Sequence, residues 1–325
     1  MNELYPLKFA PIIKETIWGG KKLKERLNKD CLSGKCGESW EISGVQNNIS
    51  IVSNGFLAGN SLQELTEVYM SDLVGEKVYE QFGIEFPLLV KFIDANDVLS
   101  IQVHPDDKLA KKRHNAFGKT EMWYIIESEE NAELISGFNQ KINKEVYLKY
   151  LHDSNLEEIL NFEKVSSGDV FFMPAGRVHA IGKGILLAEI QQTSDITYRI
   201  YDWKRKDENG KGRELHTELA VDAIDYSYHD EYKTNYQVVP DGITNLVECD
   251  FFHTNLLKLT RPVARDYMNI DSFVIYMCME GKFSIDFAGN SEHVLKGETI
   301  LLPAELKNIQ INPLEESKLL EIYIK

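Results

Sequence analysis

The chain has 325 residues, 43% of them hydrophobic and 27% charged, with a formal net charge of −15; that length suffices for one large β domain or two smaller ones, each with a substantial core. The acidic balance argues against nucleic acid as the main partner, since a polyanion needs a basic face, and no apolar run approaches the roughly 20 residues that cross a bilayer. The N-terminal Met1-Asn-Glu-Leu-Tyr-Pro6 lacks a signal-peptide layout and the cysteines at 31, 36, 249 and 278 lack zinc-ribbon or thioredoxin spacing, so the expectation is a cytoplasmic chain with reduced thiols and no membrane partner.

Residues 1–60 mix short strands with turns and carry Ile17-Trp18-Gly19-Gly20 and Gly37-Glu38-Ser39-Trp40-Glu41-Ile42-Ser43. Trp18 and Trp40 offer large buried area to a core or lid, and Trp18 is also a candidate wall for a ligand. From Ser61 to Phe82 apolar residues recur at helical spacing behind a serine cap with Glu64 three residues on, which predicts one scaffold helix. Two strands follow, Pro87–Asp94 and Val98–His104, expected to lie side by side. In the second, alternation puts Ser100, Gln102 and His104 on one face and Leu99, Ile101 and Val103 on the other. Such a polar row is either a face in water or the lining of a barrel, where a metal and a polar ligand would satisfy it.

Pro105–His114 predicts a loop and short helix, and Gly118-Lys119-Thr120-Glu121-Met122 a turn entering a strand. Residues 140–162 predict one or two amphipathic helices, 169–173 and 185–203 strands, and 214–226 a helix. The charged turn between Trp203 and Arg213 is expected to be solvated. Beyond residue 235 short strands alternate with turns. Gly297-Glu-Thr-Ile-Leu-Leu-Pro303-Ala repeats the spacing of Gly168-Asp-Val-Phe-Phe-Met-Pro174-Ala, and Phe273–Phe287 has the rhythm of residues 122–138. Two related barrels are implied, spanning 1–235 and 236–325. Asn308 stands in the second where His179 stands in the first, so the second is expected to be structural.

The turn Pro174-Ala-Gly176 places His179 at a rigid strand end. With Gln102, His104 and Glu121 it makes a set of two imidazoles and two oxygen donors, suited to zinc or another first-row divalent ion. The absence of cysteine favours a catalytic site over a closed structural one.

Gly168-x5-Pro174-x-Gly176-x2-His179 matches the second motif of the cupins. More closely, the chain resembles the short bacterial form of type I mannose-6-phosphate isomerases, through Ile17–Gly20, Gly37–Ser43, Leu99-Ser-Ile-Gln-Val-His-Pro-Asp106, Gly118–Met122, His179-Ala-Ile-Gly-Lys-Gly184, and Glu189 through Ser194-Asp195 to Arg199. The resemblance implies a mainly β fold of two cupin-like jelly-roll barrels with inserted α-helices. It implies one Zn2+ per chain on Gln102, His104, Glu121 and His179; a catalytic Arg199, with Lys119 and Asp195 as proton-transfer candidates beside a metal-bound water; and Ser100 and Lys91 near a sugar phosphate. The expected assembly is a monomer or weak homo-oligomer. The chain departs from the long forms at Phe117-Gly-Lys-Thr-Glu121 and at Ile200-Tyr-Asp-Trp203, changes that leave the metal set intact and bear on the outer pocket contacts and so on fine substrate preference. On the donor residues alone, an iron oxygenase using His104, His179 and Glu121 and a sugar-binding cupin without turnover stay open.

Overall fold

The computed structural model describes residues 3–206 and 210–325; the central Asp207, Glu208 and Asn209 of the charged turn lie outside the described residues. The strands are, in order, β1 (Leu7–Lys8), β2 (Ile12–Gly20), β3 (Cys36–Ser43), β4 (Leu88–Ala95), β5 (Ile101–Val103), β6 (Glu121–Ser128), β7 (Glu133–Phe138), β8 (Leu160–Lys164), β9 (Val170–Met173), β10 (His179–Ala180), β11 (Ile185–Gln192) and β12 (Tyr198–Tyr201). There follow β13 (Ile243–Glu248), β14 (His253–Leu259), β15 (Val263–Asp266), β16 (Val274–Glu280), β17 (Lys282–Phe287), β18 (Asn290–Leu295), β19 (Thr299–Leu302), β20 (Asn308–Pro313) and β21 (Ser317–Tyr323). Helices α1 (Lys22–Leu27), α2 (Leu62–Val74), α3 (Glu76–Phe82), α4 (Asp107–His114), α5 (Lys144–His152) and α6 (Thr217–Ala223) are inserted between strands of the first half.

The sheets repeat as the sequence does. The first half orders its strands β2-β3-β4-β11-β6-β9 and β12-β5-β10-β7-β8; the second orders them β13-β14-β21-β16-β19 and β15-β20-β17-β18. In each half the two sheets face one another, giving the mainly β, cupin-like fold. One pairing crosses between the halves: Leu7–Lys8 adds to the edge of β19, so the N-terminal strand completes the second six-stranded sheet.

The outer faces of the two six-stranded sheets pack together. Val90, Phe92, Met122 and Ala188 from one half and Leu256, Ile275, Met277 and Leu320 from the other share a single core. The inner faces of β4 and β11 line the first barrel, so these strands are buried along their whole length. That double burial explains their near-continuous apolar character and makes each polar residue in them conspicuous.

Three expectations change. The strands at 88–95 and 101–103 do not pair: β4 bonds to β3 and β11, and β5 to β10 and β12. The connection through Asn96–Ser100 switches sheets, so the two strands face each other across the interior. The alternative that leaves the polar row Ser100, Gln102 and His104 in water also falls: Ser100 and His104 are buried, while Ile101 and Val103 join a core with Tyr147 of α5 and Ala220 of α6. The single helix expected from Ser61 to Phe82 starts with the expected capping box of Ser61 and Glu64 but breaks at Gly75. Gly75 has φ +96°, and a Cβ there would lie 2.4 Å from the Asp271 carbonyl oxygen of the second half. This contact requires glycine, and it turns the chain so that both Asp271 carboxylate oxygens cap α3 at Glu76 and Lys77.

Candidate metal centre and catalytic pocket

Each donor owes its place to a local device. At the end of β9, Pro174 stops the strand and Gly176, at φ +91°, closes a turn whose N–H donates to the His104 carbonyl at 2.9 Å. That bond ties the two histidine segments together, and β10 then sets His179 opposite Gln102 on β5. Glu121 opens β6, and its approach is fixed from both sides: Asp107 Oδ1 accepts from Gly118 N at 2.7 Å, and Gln192 Oε1 accepts from Thr120 N at 2.9 Å.

The result is a buried cluster. Glu121 Oε1 lies 3.3 Å from His179 Nε2, and Oε2 lies 3.6 Å from His104 Nε2. Among the described residues, His104, Glu121 and His179 form the only group of three such donors whose ligand atoms all fall within 4.8 Å of one another. Gln102 Nε2 is 3.3 Å from His179 Nε2. With the amide turned over, an assignment that heavy atoms alone do not fix, its Oε1 joins the set.

These donors fit a divalent cation. His104 Nδ1 donates to the Ile196 carbonyl at 2.8 Å and His179 Nδ1 to the Arg177 carbonyl at 2.9 Å, so both rings turn Nε2 lone pairs toward the centre. Both Glu121 oxygens are buried with no hydrogen-bond partner among the described residues; the Lys119 ammonium lies 3.3 Å from Oε2, while Oε1 faces His179, an expensive burial that a further cation would offset. Burial, reinforced by the charge of Glu189, pushes the Glu121 carboxyl up to about 7. Burial drives His179 down to about 4, and burial together with Lys119 takes His104 well below its ordinary value. Neutral imidazoles are the form that binds metal.

Above the cluster opens a pocket of about 570 Å³, lined among others by Trp18, Lys91, Ser100, Gln102, Lys119, Asp195 and Arg199. The structure thus brings every candidate residue to the metal cluster or its pocket. Lys119 Nζ is 3.3 Å from both His104 Nε2 and Glu121 Oε2. Arg199 donates from Nη1 to the Glu214 carbonyl at 2.9 Å, and its Nε is buried without a partner among the described residues. Asp195 is exposed at the rim. Lys91 is already engaged, 2.8 Å from Glu189 and 3.3 Å from Glu38. Burial alone would lower its pKa, but those two carboxylates hold it above the ordinary lysine value.

A family model for the catalytic domain of type I phosphomannose isomerase matches residues 6–146, and one for the mannose-6-phosphate isomerase cupin domain matches residues 242–317. A mannose-6-phosphate isomerase of Bacillus subtilis (strain 168) is 37% identical over 309 residues, covering 94% of this chain and 95% of the relative. The chain belongs to the type I mannose-6-phosphate isomerase family. A relative of the same description in Streptococcus mutans is 35% identical over 94% of this chain and 95% of its own. The crystal structure of a Bacillus subtilis mannose 6-phosphate isomerase superposes with a TM-score of 0.89 at 33% identity, covering 99% of this chain and all of that one. A Salmonella typhimurium phosphomannose isomerase, 17% identical, shares the fold at a TM-score of 0.81, over 99% of this chain and all of that one. As a member of this family the chain is an enzyme, an isomerase.

Three residues at the isomerase pocket carried no role in the sequence reading. Glu189 sits opposite both Lys91 and Trp123 in its sheet and accepts from Trp123 Nε1 at 2.7 Å. Its signal was a carboxylate in the otherwise apolar start of Ile185–Gln192, matched by a lysine in Leu88–Ala95. Glu38 accepts from Trp40 Nε1 at 2.7 Å. Arg213 is a partial exception to the expected solvated turn: Lys204, Lys206 and Lys211 are exposed, whereas Arg213 is half-buried, lines the pocket and donates from Nε to Asp202 Oδ2 at 2.7 Å.

The second barrel keeps this geometry without the donors. Val274 and Asn308 stand at the register positions of Glu121 and His179. Glu321 stands at that of Glu189, opposite Asn255 and Tyr276. In place of the donors there is an internal ion pair: Arg265 binds Glu321 Oε1 and Oε2 at 2.7 and 2.9 Å.

Proposed function

We propose that the chain is a zinc-dependent aldose–ketose isomerase that interconverts mannose 6-phosphate and fructose 6-phosphate through an enediolate. The convergence of His104, Glu121 and His179 beneath a pocket lined by Gln102, Lys119 and Arg199 carries this reading. A single Zn2+ held by Gln102, His104, Glu121 and His179 would supply a Lewis acid for the sugar's carbonyl oxygen.

The reaction moves a proton between C1 and C2 while negative charge develops on oxygen. Arg199 is the electrostatic partner of that charge, since guanidinium stays protonated at any working pH and is a poor base. Lys119, at the cluster itself, is the better placed proton carrier, with Asp195 at the rim as the second candidate. Trp18 and Ser100 form walls that orient the sugar and exclude water. Lys91 holds Glu189 in place, and together they set the charge of the inner pocket.

We assign catalysis to residues 1–235 and a structural role to 236–325, in a cytoplasmic enzyme, monomeric or weakly self-associating, whose partner is a small sugar phosphate. No helix among the described residues is long and apolar enough to cross a membrane. A coupled assay on mannose 6-phosphate, with metal stripped and then restored as Zn2+, tests the reading. Turnover should vanish and return; turnover that survives complete chelation sinks the zinc mechanism. Binding without turnover favours a sensor, and activity needing ferrous iron and oxygen favours an oxygenase.

A further inference from the structure

The cations of the pocket divide into two groups. Lys91 is neutralised by Glu189 and Glu38, and Lys119 faces Glu121. Arg199 and Arg213 are different: both line the pocket, and Asp202, the carboxylate that acts on both, is shared with Arg205. Asp202 Oδ1 accepts from Arg205 Nη2 and Arg213 Nη2 at 2.5 Å each. Three arginines gather at Asp202; Asp97 lies 3.9 Å from Arg205, Glu214 acts on Arg199 and Asp195 shares the lining, so the positive excess on this side is smaller than the bare count but has the sign a phosphate needs. The crowding is felt: burial and then the charge of Arg213 hold Arg199 below its ordinary value.

The segment after β12 is fastened so that this excess faces inward. Trp203 Nε1 donates to the Leu99 carbonyl at 2.7 Å and Arg205 Nη1 to the Val98 carbonyl at 2.6 Å. Arg205 is thereby spent on the wall, whereas Arg213, gripped along one edge by Asp202, stands on the pocket lining beside Arg199.

We propose that Arg213, standing beside Arg199 on the pocket lining, seats the phosphoryl group of the substrate and so sets the preference for phosphorylated over free sugar, leaving Arg199 to the reacting carbons. This assignment rests on the isomerase reading above. It moves the phosphate away from Lys91, whose charge is already matched, to the part of the lining that Arg199 and Arg213 form.

The test uses the zinc-loaded full chain and three probes: mannose 6-phosphate, mannose and inorganic phosphate. Arg213→Gln should raise KM for mannose 6-phosphate at least tenfold with a smaller fall in kcat. It should weaken inhibition by inorganic phosphate by a similar factor and lose far less on mannose, so that the ratio of kcat/KM for the two sugars collapses. Arg213→Lys keeps a charge in reach of Asp202 and should fall between. If phosphate inhibits the Gln variant as strongly as the wild type, or if the Gln variant loses equally on both sugars, the proposal is overturned. Should wild type fail to isomerise mannose 6-phosphate, the functional reading falls on its own. Calorimetric binding of inorganic phosphate to wild type and the two variants then still decides whether Arg213 holds an anion.

Discussion

His179 is proposed to hold the metal and Arg199 to stabilise charge in the reaction, and single substitutions should separate the two. His179→Ala removes a donor that touches Glu121 at 3.3 Å, and should lose most bound zinc by mass spectrometry together with activity. Arg199→Ala should keep the metal and lower kcat about 10²–10³-fold, the usual cost of losing one preorganised charge-stabilising group; normal turnover would remove Arg199 from the chemistry. Asp202 offers a pH test. Burial alone would raise its carboxyl, but Arg213 and then Arg205 overcome that and hold it below 3.8. A carboxyl depressed by folding contributes stability that is full above its ordinary value and is lost as pH falls through the folded one. Acid unfolding of the wild type should therefore include a component below about pH 4 that Asp202→Asn lacks, and identical acid profiles would place the pairing in solvent.

At the scale of elements, the catalytic geometry depends on turns more than on strands. The Gly176 turn delivers His179, and the Asp107 and Gln192 contacts deliver Glu121, so three separate segments reach one centre without a long element running through it. The break at Gly75 does the same for the scaffold helices, aiming α3 at its cap on Asp271. Gly75→Ala combines a disfavoured φ with a backbone contact at 2.4 Å and should destabilise the protein by about 1–3 kcal/mol, read from denaturant unfolding. An unchanged midpoint would mean the junction can relax.

At the scale of the molecule, two barrels of one topology have diverged: the first gathers metal-type donors at its pocket, and the second pairs its buried carboxylate internally. In the second, Glu321 is fully buried and held by Arg265, Asn255, Tyr267 and Tyr276. Arg265→Leu leaves that carboxylate unpaired and should cost about 3–5 kcal/mol. Zinc content should stay intact, because the ligands lie in the other barrel; loss of metal at a retained fold would show instead that the second barrel shapes the first. The barrels share their largest core, and Lys29 bridges them by binding Glu41 at 2.7 Å and the Gly297 carbonyl at 2.5 Å.

The donor set, the repeat and the two-barrel plan were legible in the residues, because metal ligands have few chemical substitutes and a turn that must hold one histidine rigidly leaves glycine and proline at fixed spacing. Partner choice was not. Pro87–Asp94 and Val98–His104 are adjacent in sequence and carry compatible patterns, yet they face one another because the connection between them changes sheets. The lone Glu189 in a run of aliphatics was visible; that it neutralises Lys91 depended on register across β4 and β11. Arg213 looked like one more solvated charge until Asp202 turned it inward. Local chemistry is written along the chain, whereas which charges cancel and which remain for a ligand is decided by contacts between residues far apart in sequence, and only the folded arrangement sets those distances.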